Sequence, residues 1–366
     1  MEFASTIQIE RRKTRSVKVG NLMLGGEHPV RIQSMTTAFT HDIDATVSQI
    51  NRLVEAGCEI IRVAVPDMKD AEALGEIKKQ CSIPLVADIH FNHHLALKAI
   101  EMGVDKIRLN PGNIRDEEKV KEVVAAAKER GIPIRIGVNG GSINPQLIEK
   151  FGGLTPEAMT EAALWEIGVL EELGFHDILI SLKTSDVNLT VASYKRLAER
   201  CDYPFHLGIT EAGPAWRGTI KSSVGLGAML WLGLGDTIRV SLTADPVEEV
   251  KVGWEILKAL GLRTHGVTII SCPTCGRCQV DLLPIVEKVE KALENIKEPI
   301  TVAVMGCEVN GPGEAKMAEV GIASGKGVGL LLKHGEKIKR INEADFVDEI
   351  VKEVQKTIES RKIKPL

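Results

Sequence analysis

Between Val30 and Leu260 the sequence alternates eight times between a short apolar run and an amphipathic stretch. This rhythm constrains the fold more than any other feature, because strands joined by helices lie parallel, and eight such units in succession close into a barrel. The runs are Val30–Met35, Ile60–Val65, Pro84–His90, Asp105–Asn110, Pro133–Val138, Asp177–Leu182, Phe205–Ile209 and Thr237–Leu242. Each has the length and the Val, Ile and Leu content of a buried strand. The stretches between them carry apolar residues at helical spacing. Ile43, Val47, Ile50 and Val54 form one face of a helix over 42–56, and Gly57 ends it. An open doubly wound sheet alternates in the same way, so the count of eight selects the (β/α)8 TIM barrel.

The pattern changes after Leu262. Val267–Ser271 and Ile300–Met305 read as strands that run into cysteines, with a helix over 280–296 between them. Further strands over 320–323 and 329–333 and a last helix over 344–360 complete a small α+β domain. The expected division is 1–262 for the barrel and 263–366 for this second domain, α/β overall. No low-complexity segment or short repeat is present.

Composition narrows the function classes. Lys and Arg number 46 and Asp and Glu 50, a net charge of −4, which excludes a generally basic nucleic-acid binder. Aromatic residues are 4 % of the chain, too few for an aromatic recognition surface. Seven cysteines in 366 residues do not make a disulfide scaffold. No apolar run has the length of a signal peptide core or a membrane span, so a reducing cytoplasm is the expected setting. The basic run Arg11-Arg-Lys-Thr-Arg15 is expected to be a solvated tail.

Barrel enzymes carry their chemistry at the C-terminal ends of the strands. Those ends hold Arg62, His90, Arg108 with Asn110, Arg135 with Asn139, Lys183, His206 with Glu211, and Arg239 with Ser241. One such arginine reads as an ordinary rim ion pair. So many cations beside apolar strands need anionic partners, and Asp88 and Glu211 are the obvious carboxylates. A bound polyanion balances the set, and guanidinium forks suit phosphate. The loops Asn110-Pro-Gly-Asn113 and Asn139-Gly-Gly-Ser142 can add backbone N–H groups. Glu211, among cations, is placed to accept a proton or to serve as a counter-ion. His90 can bind phosphate or act as an acid.

The second domain gathers Cys272, Cys275, Cys278 and Cys307. Four thiols at this spacing suit tetrahedral zinc, a redox dithiol or a [4Fe–4S] cluster. A zinc site usually shows a second C-x2-C or a His pair, and none follows here. Instead Cys307 leads into Asn310-Gly-Pro-Gly and then Glu314. A carboxylate holds a soft cluster less tightly than a thiolate and leaves an exchangeable corner.

The segments Ser271-Cys-Pro-Thr-Cys-Gly-Arg277 and Gly306-Cys-Glu-Val-Asn-Gly-Pro-Gly-Glu-Ala315 resemble the cluster motifs of the hydroxymethylbutenyl diphosphate synthase family. So do Val30-Arg-Ile-Gln-Ser-Met-Thr-Thr37, Ile107-Arg-Leu-Asn-Pro-Gly-Asn113, Gly137-Val-Asn-Gly-Gly-Ser142, Ser181-Leu-Lys-Thr-Ser185 and Leu207-Gly-Ile-Thr-Glu-Ala-Gly213. The resemblance runs from about residue 7 to 355 and is to the two-domain bacterial form, without the extra domain of plants. It implies a barrel followed by an iron–sulfur domain like that of sulfite and nitrite reductases. It implies a [4Fe–4S] cluster held by Cys272, Cys275, Cys307 and Glu314. The implied reaction belongs to the methylerythritol phosphate route to isoprenoids. Two electrons from reduced flavodoxin or ferredoxin convert 2-C-methyl-D-erythritol 2,4-cyclodiphosphate to (E)-4-hydroxy-3-methylbut-2-enyl diphosphate and water. The resemblance assigns the diphosphate to Arg62, His90, Arg108, Arg135, Asn139, Lys183, Arg239 and Ser241. It makes Glu211 the acid/base, puts Asn310 beside the cluster, and implies a homodimer in which one site uses both chains. Cys278 departs from the family pattern as a fourth thiol that competes with Glu314. The rival readings are a phosphate-binding barrel synthase of the pterin-binding kind with a structural zinc domain, and a non-enzymatic zinc-bearing assembly protein.

Overall fold

The eight apolar runs pair side by side and in parallel. The computed structural model describes residues 8–114 and 116–363. A hairpin of β1 (Val17–Val19) and β2 (Leu22–Leu24) precedes β3 (Arg31–Met35), β4 (Ile60–Ala64), β5 (Leu85–Asp88), β6 (Lys106–Arg108), β7 (Ile134–Asn139), β8 (Ile178–Lys183), β9 (His206–Leu207) and β10 (Thr237–Ile238). The order β8-β7-β6-β5-β4-β3-β10-β9 runs round the barrel, and a parallel bridge from Ile180 to Phe205 brings its two ends together. Helices follow the strands: α1 (Ile43–Glu55), α2 (Met68–Gln80), α3 (His93–Glu101), α4 (Glu117–Arg130), α5 (Pro145–Lys150), α6 (Pro156–Glu172), α7 (Val187–Ala198), α8 (Ala215–Trp231) and α9 (Pro246–Ala259).

Local sequence explains where these helices start. Asp42, Asp67, Asn92, Asp116, Thr155, Asp186 and Asp245 each accept a backbone N–H at a helix N-terminus, satisfying donors that the helix leaves open. The start of α8, at Pro214, has no such side-chain cap. Strands β9 and β10 are shorter than the apolar runs suggested. Their continuations, from Gly208 and Arg239 onward, leave the ladder at the barrel mouth.

The basic run is not a solvated tail. Arg11 pairs with buried Asp236 at 2.8 Å, and Arg12 lies 3.9 Å over the Phe205 ring while donating to the Cys201 carbonyl. Arg15 stacks on Tyr203 and pairs with Asp202. A planar guanidinium can stack and donate at once, which a count of charges does not reveal. The β1–β2 hairpin was also not anticipated, being only three residues a side. Its Val17, Val19 and Leu24 pack with Ile60, Val86 and Leu179 and plug the N-terminal end of the barrel.

The chain divides into two compact units, with the break between Arg263 and Thr264. The second unit contains β11 (Val267–Ser271), α10 (Leu282–Leu293), β12 (Ile300–Met305), α11 (Gly311–Glu314), β13 (Val320–Ser324), β14 (Val328–Lys333), β15 (Glu336–Asn342) and α12 (Phe346–Ile363). Its sheet runs β11-β12-β13-β14-β15, parallel up to β13 and antiparallel after it. Helices α10 and α12 cover one face through Leu282, Val289, Phe346 and Ile350, while Ala315 and Ala318 pack on the other. Strand β15 escaped the sequence reading because Glu336-Lys-Ile-Lys-Arg340 is the charged, exposed pattern of a protected sheet edge. Among the described residues, no helix is long and apolar enough to cross a membrane.

Gly235 offers a test of barrel packing. It sits at φ +104°, and a Cβ there would stand 2.4 Å from Cδ1 of buried Leu207. Gly235→Ala should cost about 2–4 kcal/mol, combining backbone strain with overpacking. Gly103→Ala, at φ +82° with open space around it, should cost about 1 kcal/mol. Urea denaturation of both variants gives the difference, and equal losses would remove the packing contribution.

Candidate active site

The parallel strands deliver a cationic ring to one end of the barrel. Register places Asp88 of β5 level with Arg108 of β6, and Arg108 level with Arg135 of β7. Arg62 Nη1 lies 3.7 Å from Asp88 Oδ2, and Arg108 Nη1 lies 3.6 Å from Asp88 Oδ1. Arg135 is 1 % exposed, and its Nη1 donates to the Ser181 hydroxyl at 2.5 Å. Its Nε and Nη2 are buried without a hydrogen-bond acceptor, as is Nε of Arg239. Burial pushes the Asp88 carboxyl up, but Arg62, Arg108 and Arg135 together pull it below its ordinary value. Burial then lowers Arg135 and Lys183 well below their usual ranges, with the neighbouring guanidiniums adding to the effect. Arg239 is lowered to about 10 for the same reasons, although Glu249 stands 3.7 Å away.

Two glycines make room for this ring. A Cβ on Gly137 would meet Arg108 Nε at 2.5 Å, and one on Gly208 would meet Lys183 Nζ at 2.8 Å. Arg108 Nη2 instead donates to the Gly137 carbonyl at 2.8 Å. His90 lies on the rim with Nδ1 2.8 Å from Arg108 Nη1. Burial and the arginines lower its pKa despite Asp88, so a neutral ring accepts from the guanidinium. Asn139 and Ser241 are half-buried at the ends of β7 and just past β10. Glu211 is exposed beyond β9 and holds φ +52°, a conformation that non-glycine residues seldom adopt. Thr210 N–H donates to the Thr184 carbonyl at 3.2 Å, which ties this loop to the end of β8 beside Lys183.

Some residues at the site escaped the sequence reading. Lys106 is wholly buried two positions before Arg108, and its Nζ donates to Gln33 Oε1 at 3.3 Å. The period-two spacing of Lys106 and Arg108 within an apolar strand was its signal. Glu249 accepts Leu242 N–H at 2.9 Å and faces Arg239. Glu166, a lone acid in the apolar stretch Ala162-Ala-Leu-Trp-Glu-Ile-Gly-Val-Leu170, is buried and pushed up to about 7 by desolvation.

In the second unit two of the cysteines lie at strand ends, as the sequence suggested, and Cys275 and Cys278 lie in the loop between β11 and α10. Cys272 follows β11 and Cys307 follows β12, and these strands are paired. Among the described residues, no three His, Cys, Asp or Glu side chains converge to single-ion distance. The donor chemistry nonetheless fits a thiolate-bound group. Backbone N–H groups of Asn310, Val309 and Gly311 bond to Cys307 and lower its pKa. The Arg277 backbone and guanidinium do the same for exposed Cys275. Thr274, between Pro273 and Cys275, is held at φ +61°. A Cβ at Gly306 would stand 2.5 Å from Cys278 Sγ and 3.6 Å from Cys272 Sγ, so glycine keeps this cradle open. Cys278 Sγ also donates to the Val280 carbonyl at 3.3 Å. Asn310 and Glu314 are exposed on α11 and its N-terminal side.

The raised carboxyl of Glu166 makes a signed prediction. Its folded value of about 7 lies above the ordinary 4.5, so the folded chain holds this proton more tightly and loses stability as pH rises from 4.5 to 7. Glu166→Gln should therefore match wild type near pH 4.5 and exceed it above pH 7, by on the order of 3 kcal/mol at most. Urea denaturation at both ends of the window checks this, and a gain confined to the acid side would contradict it.

Residues 14–254 match the GcpE TIM-barrel domain, and residues 268–356 match the GcpE protein C-terminal domain. A curated relative from Geobacillus thermodenitrificans, named 4-hydroxy-3-methylbut-2-en-1-yl diphosphate synthase (flavodoxin), is 59% identical over 351 residues, covering 96% of this chain and 94% of its own. The protein of the same name from Geobacter sulfurreducens is 59% identical over 346 residues, covering 94% of this chain and 98% of its own. Among solved structures, a Plasmodium falciparum HPPK-DHPS with pterin and p-hydrobenzoate superposes at TM-score 0.50 and 12% identity, over 68% of this chain and 50% of that one. That last likeness concerns the fold alone. Family domains spanning both units and full-length relatives at this identity agree: the chain belongs to the GcpE family.

Proposed function

We propose that the barrel, residues 1–262, binds 2-C-methyl-D-erythritol 2,4-cyclodiphosphate and that residues 263–366 hold the [4Fe–4S] cluster that reduces it. The activity is that of its relatives: the chain is an iron–sulfur oxidoreductase that makes 4-hydroxy-3-methylbut-2-en-1-yl diphosphate with flavodoxin as donor. Ferredoxin is the alternative donor, and the cytoplasm is the proposed compartment. The observation that carries the substrate reading is the buried Arg135, whose Nε and Nη2 face no acceptor. A diphosphate supplies the missing acceptors, and Arg62, Arg108, Lys183 and Arg239 add charge around it. Asn139, Ser241 and the neutral His90 add directional hydrogen bonds.

Cys272, Cys275, Cys307 and Glu314 would hold the cluster, with Asn310 beside it. Cys278, already bonded to Val280, supports the choice of Glu314 as fourth ligand. When bound, the cluster supplies the two electrons one at a time. The residues of the barrel mouth fix the diphosphate and offset its charge, so that the ring opens with the departing oxygen of the diphosphate already neutralised. Glu211 delivers a proton from its carboxyl to the hydroxyl that leaves as water. The strained backbone at Glu211 supports this role, since such strain persists where geometry serves chemistry. The zinc alternatives find no support in the relatives' names.

Glu211→Gln should retain iron, acid-labile sulfide and cyclodiphosphate binding while turnover with a viologen donor falls about 100-fold or more. Normal turnover would remove Glu211 from the proton step, and one zinc without sulfide would overturn the reading as a whole. The family resemblance further supports a homodimer whose sites each use both chains. Mixing Glu211→Gln with Cys307→Ser subunits should then restore about a quarter of wild-type activity, because half the dimers are mixed and each has one intact site. No recovery on mixing would place each site within a single chain.

A further inference from the structure

The proposed reaction leaves the buried acid Glu166 without a task. It sits on α6, the helix after β7, yet it reaches the neighbouring loop after β6. Its Oε2 accepts the Gly112 N–H at 2.7 Å. Gly112 is pressed closely into this contact. A Cβ there would stand 1.9 Å from Cζ3 of Trp165 and 2.8 Å from Glu166 Oε1. Trp165 is 56% exposed, so its ring covers the loop rather than filling the core. A buried carboxylate is costly unless its bonds are used, and a side chain serving only to fill space would be apolar.

The seated loop is bonded to both neighbouring strand ends. Asn110 Oδ1 accepts Gly137 N–H at 2.7 Å, and its Nδ2 donates to the Gly137 carbonyl at 3.0 Å. The same carbonyl accepts from Arg108 Nη2 at 2.8 Å. At the other end of the loop, Asn113 Nδ2 donates to the His90 carbonyl at 3.4 Å. One anchor on α6 thus reaches His90, Arg108 and Gly137 through a single short turn.

We propose that Glu166, with Trp165 over it, is a positioning residue that seats the 110–113 loop and so fixes the His90–Arg108 edge of the diphosphate site. The inference rests on the reading that the diphosphate binds at this mouth. Glu166 touches no substrate. Its contribution is to hold guanidinium and imidazole where the anion meets them, which is a matter of binding geometry.

The test uses the cluster-loaded enzyme with a viologen donor and titration of the cyclodiphosphate. Glu166→Ala should raise KM and the dissociation constant together by about tenfold, with kcat within about threefold of wild type. Glu166→Gln keeps an acceptor oxygen and should restore both values to near wild type. Gly112→Ala should reproduce the Glu166→Ala defect with Glu166 intact. Unchanged binding in Glu166→Ala, or a Gln variant as defective as the Ala variant, would overturn the seat. Arg135→Met serves as the separate control. If it binds the cyclodiphosphate normally, the diphosphate reading itself fails; if it loses binding while Glu166→Ala keeps it, only the seat fails.

Discussion

Like charges held close together in a dry place are the constraint on which the rest of this molecule depends. Arg62, Arg108 and Arg135 share one buried carboxylate, Asp88, with Lys183 and Arg239 close by. Desolvation alone makes a lone buried cation expensive, and mutual repulsion adds to the cost. The barrel tolerates the arrangement because its walls are rigid. Backbone ladders fix each strand, the hairpin Val17–Leu24 plugs the far end, and glycines at 137 and 208 leave space for the side chains. On the proposed reading, stability is given up locally to keep donors aimed at an anion, the preorganisation on which electrostatic catalysis depends.

Much of this was legible in the sequence. The eight alternations mark a barrel without help from any structure, and α1 runs from Ile43 to Glu55, within the 42–56 that its spacing indicates. The strand-end cations were legible because arginine is out of place in an apolar run. What stayed hidden were residues whose meaning lies in a partner far along the chain. Arg12 reads as a tail charge until Phe205 lies beneath it, 193 positions later. Glu166 sits mid-helix and Glu249 in the first turn of α9, and no local pattern says which loop or guanidinium they meet. Strand β15 was lost for the opposite reason: its local pattern is that of a solvated segment, because an edge strand must resist further pairing.

The places where local rules are broken coincide with the places where chemistry is proposed. Of the non-glycine residues at positive φ among those described, Glu211 follows β9 at the mouth and Thr274 lies within the cysteine loop; His334 occupies a hairpin turn. The helix after Glu211 starts without the side-chain cap that its neighbours have. Consistent local preference is what directs a chain to one fold, so the exceptions concentrate where another requirement prevails. At Glu211 that requirement is the direction of a carboxylate beyond the strand end. At Thr274 it is the turn that presents Cys272 and Cys275 from one short loop.

The protonation of the barrel interior follows from the same physics. Burial holds Lys106, Lys183 and His206 well below their usual ranges, and Arg135 and Arg62 deepen the effect. With no anion present, the least costly way to lower the repulsion is for the weakest of these bases to give up protons. The diphosphate proposed to bind here would reverse the local potential and raise the same groups towards their charged forms. On the proposed reading, part of the site's cationic capacity depends on what occupies it. Arginine, which seldom deprotonates, sets the permanent field, while lysine and histidine adjust to what occupies it. On the proposed reading the two residue types divide the work: the guanidinium forks give direction, and the softer bases let the total charge follow the ligand.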